Sequence, residues 1–184
     1  IGVRFHDFVF AGSRPMPTLY FGQVYIEPAF RGRMLIQRTV LGFMLKAKFR
    51  HPLGTCYFWT DALTYKPYLV MANNLADYCP HPDRATPPDI LALQDAIGAR
   101  YYPDTFQAKT RTVNKPSNLL NDQSVVITER DLQNRFIRFY AQRNPGHAKG
   151  DGLLLVCPMS LKNVLHFLLR LIRKKRQSRG RHAG

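Results

Sequence analysis

Apolar and polar residues alternate at the start of the chain. Val3, Phe5, Asp7 and Val9 fall on one side, and Arg4, His6, Phe8 and Phe10 on the other. This β-rich alternation predicts a strand from Val3 to Phe10. Gly12, Pro15 and Pro17 interrupt any ladder and predict a turn. A second strand is expected from Thr18 to Ile26, closed by Glu27-Pro28. From Arg31 to Lys48 the period lengthens. Leu35, Thr39, Gly42 and Phe43 share one side, with Met34, Leu41 and Leu45 nearby, while Arg33, Gln37, Arg38, Lys46 and Lys48 are polar. That spacing predicts a helix, stopped by His51-Pro52-Leu53-Gly54. A short aromatic strand follows from Cys56 to Asp61. A helix is expected from Tyr65 to Leu75, with Pro67 tolerated in its first turn.

The second half carries weaker signals. Cys79 to Pro88 is proline-rich and predicts a loop. Ile90, Leu93 and Ile97 mark a helix from Ile90 to Ala99. Tyr101 to Asn121 is polar and is expected to be extended or partly mobile. Val125 to Ile127 predicts a strand, and Asp131 to Tyr140 a helix. Asn144-Pro145-Gly146 is a strong turn signal, followed by a strand from Leu153 to Val156 and an amphipathic helix from Ser160 to Lys175. No internal repeat is visible.

Length and charge narrow the class. The 184 residues fit one domain with a real core. The longest apolar stretches, Leu153 to Met159 and Val164 to Leu169, fall short of the ~20 residues of a spanning helix. Cys56, Cys79 and Cys157 have no metal-ligand spacing and are too few for a disulfide scaffold, which points to reduced thiols and a cytoplasmic protein. The six histidines are scattered and give no ligand set, so no metal is expected. No serine sits in a Gly-x-Ser-x-Gly elbow. The opening residues lack a signal-peptide pattern. The net charge of +15 favours acidic ligands or surfaces.

One unit carries a specific chemistry. A strand runs through Glu27-Pro28 into Arg31-Gly32-Arg33 at a helix start. Unpaired backbone N–H groups, the positive end of the helix dipole and nearby arginines together suit a phosphate or pyrophosphate. The competing explanation is a helix start with solvated arginines. The stretch from Val24 to Arg33 resembles the core motif of the GNAT superfamily of N-acetyltransferases, in which a strand enters an Arg/Gln-x-x-Gly-x-Gly/Ala helix start. The order helix, strand, helix over Arg31 to Leu75 is similar to that family, and Asn144 to Asp151 suggests a bacterial branch of it.

The resemblance implies a mixed α/β (α+β) domain over residues 1–158, with a mostly antiparallel central sheet flanked by helices and further N-terminal elements ahead of Ile1. Residues 159–184 would form an amphipathic helix and basic tail. It implies acyl transfer from acetyl-CoA or another acyl-CoA to an amine. Arg31, Gly32 and Arg33 would hold the pyrophosphate. The backbone of Val24, Tyr25 and Ile26 would polarise the thioester, and Tyr68, or Tyr65 one turn earlier, would protonate the thiolate. Glu27 and Asp61 sit at strand ends and could take the amine proton. The family's two glycines are replaced by Met34 and Ile36, whose side chains can obstruct the pyrophosphate. A GNAT-like binding module with decayed catalysis is therefore the alternative. Each named residue also has a structural explanation: Tyr68 as a core aromatic, Glu27 as a solvated cap, Cys56 as a packing residue.

The C-terminus adds a third possibility. Leu161, Val164, Leu165, Leu168 and Ile172 follow helical spacing, with Phe167, Leu169 and Leu171 widening the stripe. Seven cations from Arg170 to Arg181 follow, and setting them aside lowers the charge from +15 to +8. A basic amphipathic helix suits an anionic membrane surface, making the protein membrane-peripheral, and its tail suits nucleic-acid phosphates. A wide apolar stripe also suits packing on the domain, which is the expectation here.

Overall fold

A strand with no polar side must be covered on both faces, and Leu153 to Cys157 are buried without exception. They belong to β6 (Gly152–Pro158), whose alternation divides them between two cores. Leu153, Leu155 and Cys157 enter one, and Leu154 and Val156 enter the other. The computed structural model describes residues 2–10, 15–22, 26–30, 35–50, 52, 54–115 and 126–180.

Among the described residues six strands form one sheet. With β1 (Gly2–Phe8), β2 (Met16–Gly22), β3 (Tyr57–Ala62), β4 (Phe106–Gln107) and β5 (Thr112–Val113), the spatial order is β1-β2-β3-β6-β5-β4. Every junction is antiparallel except β2 with β3. That parallel pair needs a crossover, supplied by α1 (Leu35–Arg50). Its register spans only Thr18↔Tyr57, Leu19↔Phe58 and Tyr20↔Trp59.

The larger core lies under α1, α2 (Tyr65–Asn74), α5 (Arg135–Arg143) and α6 (Leu161–Gly180), which contribute Met44, Tyr68, Met71, Tyr140, Val164 and Phe167. The opposite face is covered by α3 (Pro88–Tyr101), through Ile90, Leu93 and Ile97 against Trp59, Leu154 and Val156. The sheet is mixed and mostly antiparallel, with helices on both faces.

Four segments depart from expectation. Val126 and Ile127 form no strand, and Val125 lies outside the described residues; Ile127 packs against the larger core from irregular chain. The helix expected from Asp131 to Tyr140 is two, α4 (Glu129–Leu132) and α5. Thr128 and Asp131 form a capping box that starts α4 early, and the Asn134 side chain accepts from Phe136 N–H at 2.9 Å to start α5 afresh. Within Tyr101 to Asn121, the described part holds the β4–β5 hairpin, whose two-residue strands leave no periodic trace. The loop from Cys79 is partly a bridge: Cys79 exchanges backbone hydrogen bonds of 2.7 and 2.9 Å with Val156, extending the ladder on the edge of β6.

Candidate functional site

The parallel junction is where the sheet opens. Beyond Tyr20↔Trp59, β2 continues to Gly22 and β3 to Ala62 with no register between them. On their outer sides the same residues stay paired, Phe21 and Gly22 with β1, and Thr60 to Ala62 with β6. Among the described residues the two carboxyl-terminal ends therefore leave their inner edges unpaired with each other. The crevice outside the carboxyl ends of parallel strands is a general ligand position in α/β sheets.

A polar cluster bridges this crevice on the α3 face. Asp61, two residues after Trp59 and on its side of β3, is 7% exposed. Its Oδ1 accepts from the Tyr20 hydroxyl at 2.9 Å and its Oδ2 from the Tyr102 hydroxyl at 3.0 Å, and Lys115 Nζ contacts Oδ2 as well. The donors come from separate elements. Tyr20 projects from β2 and lies over Gly22, where an added Cβ would stand 2.0 Å from its hydroxyl oxygen. Tyr102 caps the end of α3, its N–H donating to Gly98 O at 2.9 Å. Lys115 follows β5, beside Asn114, whose N–H donates to Thr105 O at 2.9 Å.

Electrostatics assigns roles to the cluster. Burial first, and the Asp61 charge second, push the hydroxyls of Tyr20 and Tyr102 above the usual tyrosine range. Both phenols therefore stay protonated and act as donors. The Lys115 ammonium lies 5.4 Å from the Tyr102 ring centroid as well as on the carboxylate, so an alkylammonium is held by charge and by an aromatic face. Beside them Trp59 stacks on Tyr101 at 5.3 Å, and Arg4 lies 4.8 Å over Tyr101. The arrangement can hold a cationic amine at the end of β3.

The residues singled out in the sequence are distributed unevenly about this crevice. Val24, Tyr25, Arg31, Gly32 and Arg33 lie outside the described residues, as does Met34. Ile26 is half-buried, and exposed Glu27 opens a single 3₁₀ turn, its carbonyl accepting from Phe30 N–H at 2.9 Å. Ile36 packs against the larger core. Tyr65 is the first residue of α2, three positions after β3 ends, and is half-buried. Tyr68 is in the core at 0% exposure, its hydroxyl donating to Pro80 O at 3.2 Å, and burial pushes its pKa upwards. The structure does not bring Tyr68 together with the Asp61 cluster. Cys56 is buried and its thiol is pushed up to about 11, mainly by burial, which leaves it protonated at neutral pH.

Among the described residues no three His, Cys, Asp or Glu side chains converge as a metal site. Away from the crevice, a shallow groove between Pro82-Asp83 and α5 is lined by Arg135 and Arg138, but Asp83 already accepts from Arg135. Sequence reasoning reached Asp61 as a carboxylate at a strand end. It missed Tyr20, Tyr102 and Lys115. For Tyr20 a signal existed, since the alternation of β2 separates it from Leu19 and Phe21. Comparison with known proteins returns no matching family model, no matching curated protein and no matching solved structure.

Proposed function

We propose that the chain is an acyl-CoA-dependent N-acyltransferase of GNAT-like architecture, acting on an amine. The observation that carries this is the short parallel register of β2 with β3, which ends at Tyr20↔Trp59 and leaves the inner edges of both strands unpaired with each other beyond it. An extended, amide-bearing chain such as the pantetheine arm of CoA could pair with such edges as an added strand does. Support also comes from the order hairpin, crossover helix, parallel strand and helix, which agrees with the order the GNAT resemblance implies. Ile36, at one of the family's glycine positions, packs against the larger core.

In this mechanism Arg31 and Arg33, with the backbone at Gly32, hold the pyrophosphate. Backbone N–H groups from Val24 to Ile26 polarise the thioester carbonyl and stabilise the oxyanion. Asp61 anchors the cationic amine, with Tyr20 and Tyr102 fixing its carboxylate, and the amine displaces Lys115. Glu27 takes the amine proton directly or through water. The neutral nitrogen attacks the carbonyl carbon, the C–N bond forms, the C–S bond breaks with Tyr65 protonating the departing thiolate, and the nitrogen's remaining extra proton passes through water to the Tyr65 phenolate, which leaves a neutral amide. Tyr65 replaces Tyr68 in this role because Tyr68 is committed to the core. A cytoplasmic location accompanies the use of acyl-CoA.

A second reading is a GNAT-like binding module without turnover. It is favoured by the three donors that already fill Asp61. Calorimetric titration with acetyl-CoA and longer acyl-CoAs, followed by thiol release over an amine panel, tests both. The first reading expects binding that weakens at least about tenfold in R31A/R33A, since charge-assisted bonds are lost. It also expects turnover that falls about 10²-fold in Tyr65→Phe and stays unchanged in Tyr68→Phe. Binding with no turnover selects the module, and a folded protein without acyl-CoA binding removes both.

A further inference from the structure

Helix α6 has two apolar faces, and among the described residues only one is packed into a core. Val164 and Phe167 are buried in the larger core, and Asn163 anchors the helix start. On the outward side Leu161, Leu165, Leu169 and Ile172 are 61, 60, 55 and 49% exposed. Their spacing of four, four and three residues makes one continuous row, about 17 Å long at 1.5 Å per residue. Arg170 and Arg173 are exposed beside it, while Lys162, also exposed, is paired with Asp77 at 2.9 Å. The helix continues to Gly180 through Lys174, Lys175, Arg176 and Arg179, and the sequence has no Asp or Glu after Asp151.

We propose that the outer face of α6 is a docking surface for an anionic lipid membrane, with the leucine row inserted at the headgroup boundary and the cations on the lipid phosphates. Charge complementarity selects this occupant. A helix that is basic and free of acidic side chains is attracted to an anionic plane, and a large apolar row is rewarded there as well. Nucleic acid would take the cations but give no return for burying four aliphatic side chains. A second copy of this face would set two rows of cations against each other. None of the described helices is long and apolar enough to cross a membrane, so the contact is peripheral. Packing of the inner face and docking of the outer face are compatible, because α6 is amphipathic about its own fold and basic towards its surroundings.

The test uses the full chain and L165Q/L169Q, which keeps every charge and alters only exposed positions. Co-sedimentation is measured with phosphatidylcholine vesicles and with vesicles carrying about 30% phosphatidylserine, because the attraction requires anionic headgroups. The expected result is binding to the anionic vesicles, weak binding to the neutral ones, and at least about tenfold weaker anionic binding by the double variant. Circular dichroism checks that both proteins are equally folded. Equal binding by the two proteins would reduce the contact to charge alone and overturn the proposal. So would absence of binding to anionic vesicles, alone or with tight binding to duplex DNA. A dimer of the full chain in lipid-free buffer that L165Q/L169Q dissolves would overturn it in favour of a second copy.

Discussion

At the scale of single residues, two polar side chains in this protein are buried to opposite ends. Asn163 is spent on structure. Its Oδ1 accepts from the backbone N–H groups of Ala76 and Asp77 at 2.9 and 2.8 Å, and its Nδ2 donates to Asp77 O and Pro158 O, both at 2.7 Å. An amide has two donor and two acceptor positions, and all four are filled, tying α6 to the loop after α2 and to the end of β6. Asn163→Leu would leave four backbone groups without this partner. At about 1–3 kcal/mol for each buried group left unpaired, and with some groups recovering water, a loss of about 3 kcal/mol or more is expected in urea denaturation. A loss under about 1 kcal/mol would show that the surrounding backbone re-pairs. Asp61, in contrast, sits on an interior strand and is met by donors from three separate elements, the hydroxyls of Tyr20 and Tyr102 and the Lys115 ammonium. All of its partners are side chains, whereas those of the Asn163 amide are all backbone groups.

At the scale of elements, the hairpin that carries Lys115 is attached to α3 by the Arg111–Asp95 ion pair and by a close ring contact. An ideal Cβ on Gly98 would lie 2.2 Å from the Phe106 ring, so the ring occupies the space a side chain would take. Gly98→Ala gains about 1 kcal/mol of helix propensity, but overpacking of this kind costs about 1–3 kcal/mol. The contact should win because Phe106 is held in β4. The expected outcome is a net loss of stability that is relieved when Phe106→Leu is added, read as a positive coupling in a double-mutant cycle. Additive effects would show that the ring swings away freely. The same hairpin marks where the sequence stops being legible. Long periodic elements such as α1, α2 and β6 show their type in the spacing of Leu, Met and Val. Asp61 stands out because a carboxylate in an aromatic strand must find partners. Those partners lie 41 and 54 residues away, at Tyr102 and Lys115, in segments too short or too polar to have a period. Only the folded arrangement of α3 and the β4–β5 hairpin against the sheet brings them together. The split of Asp131 to Tyr140 was hidden differently, since Asn134 fits a helix pattern until its side chain is seen to cap Phe136.

At the scale of the whole molecule, a net charge of +15 means that acid adds to a repulsion already present. Local shifts point the same way. Burial holds the pKa values of His6, His81 and His147 below the usual histidine range, with Arg100 adding to the effect at His6 and Arg84 at His81. Burial raises the Asp77 carboxyl, but hydrogen bonds from Lys162 and Arg84 outweigh it and hold the group below the usual range. For a histidine with a depressed folded pKa, the unfolded chain binds the proton first as pH falls through about 6.5, so stability is full above that value and declines below it. Asp77 acts in a lower window, its contribution being present above about pH 4 and lost as pH falls through its depressed folded value. The expected profile is a plateau above about pH 7 and a decline starting near pH 6.5, measured as urea midpoints at constant ionic strength. His147→Gln should flatten the first decline, because its shift comes from burial alone. Overall repulsion would give a similar slope, but it is screened by salt, whereas desolvation of half-buried imidazoles is not. A decline that persists at about 0.5 M salt therefore belongs to the histidines. One that vanishes there, or midpoints that stay constant from about pH 5.5 to 7.5, would show that the histidines do not couple to folding.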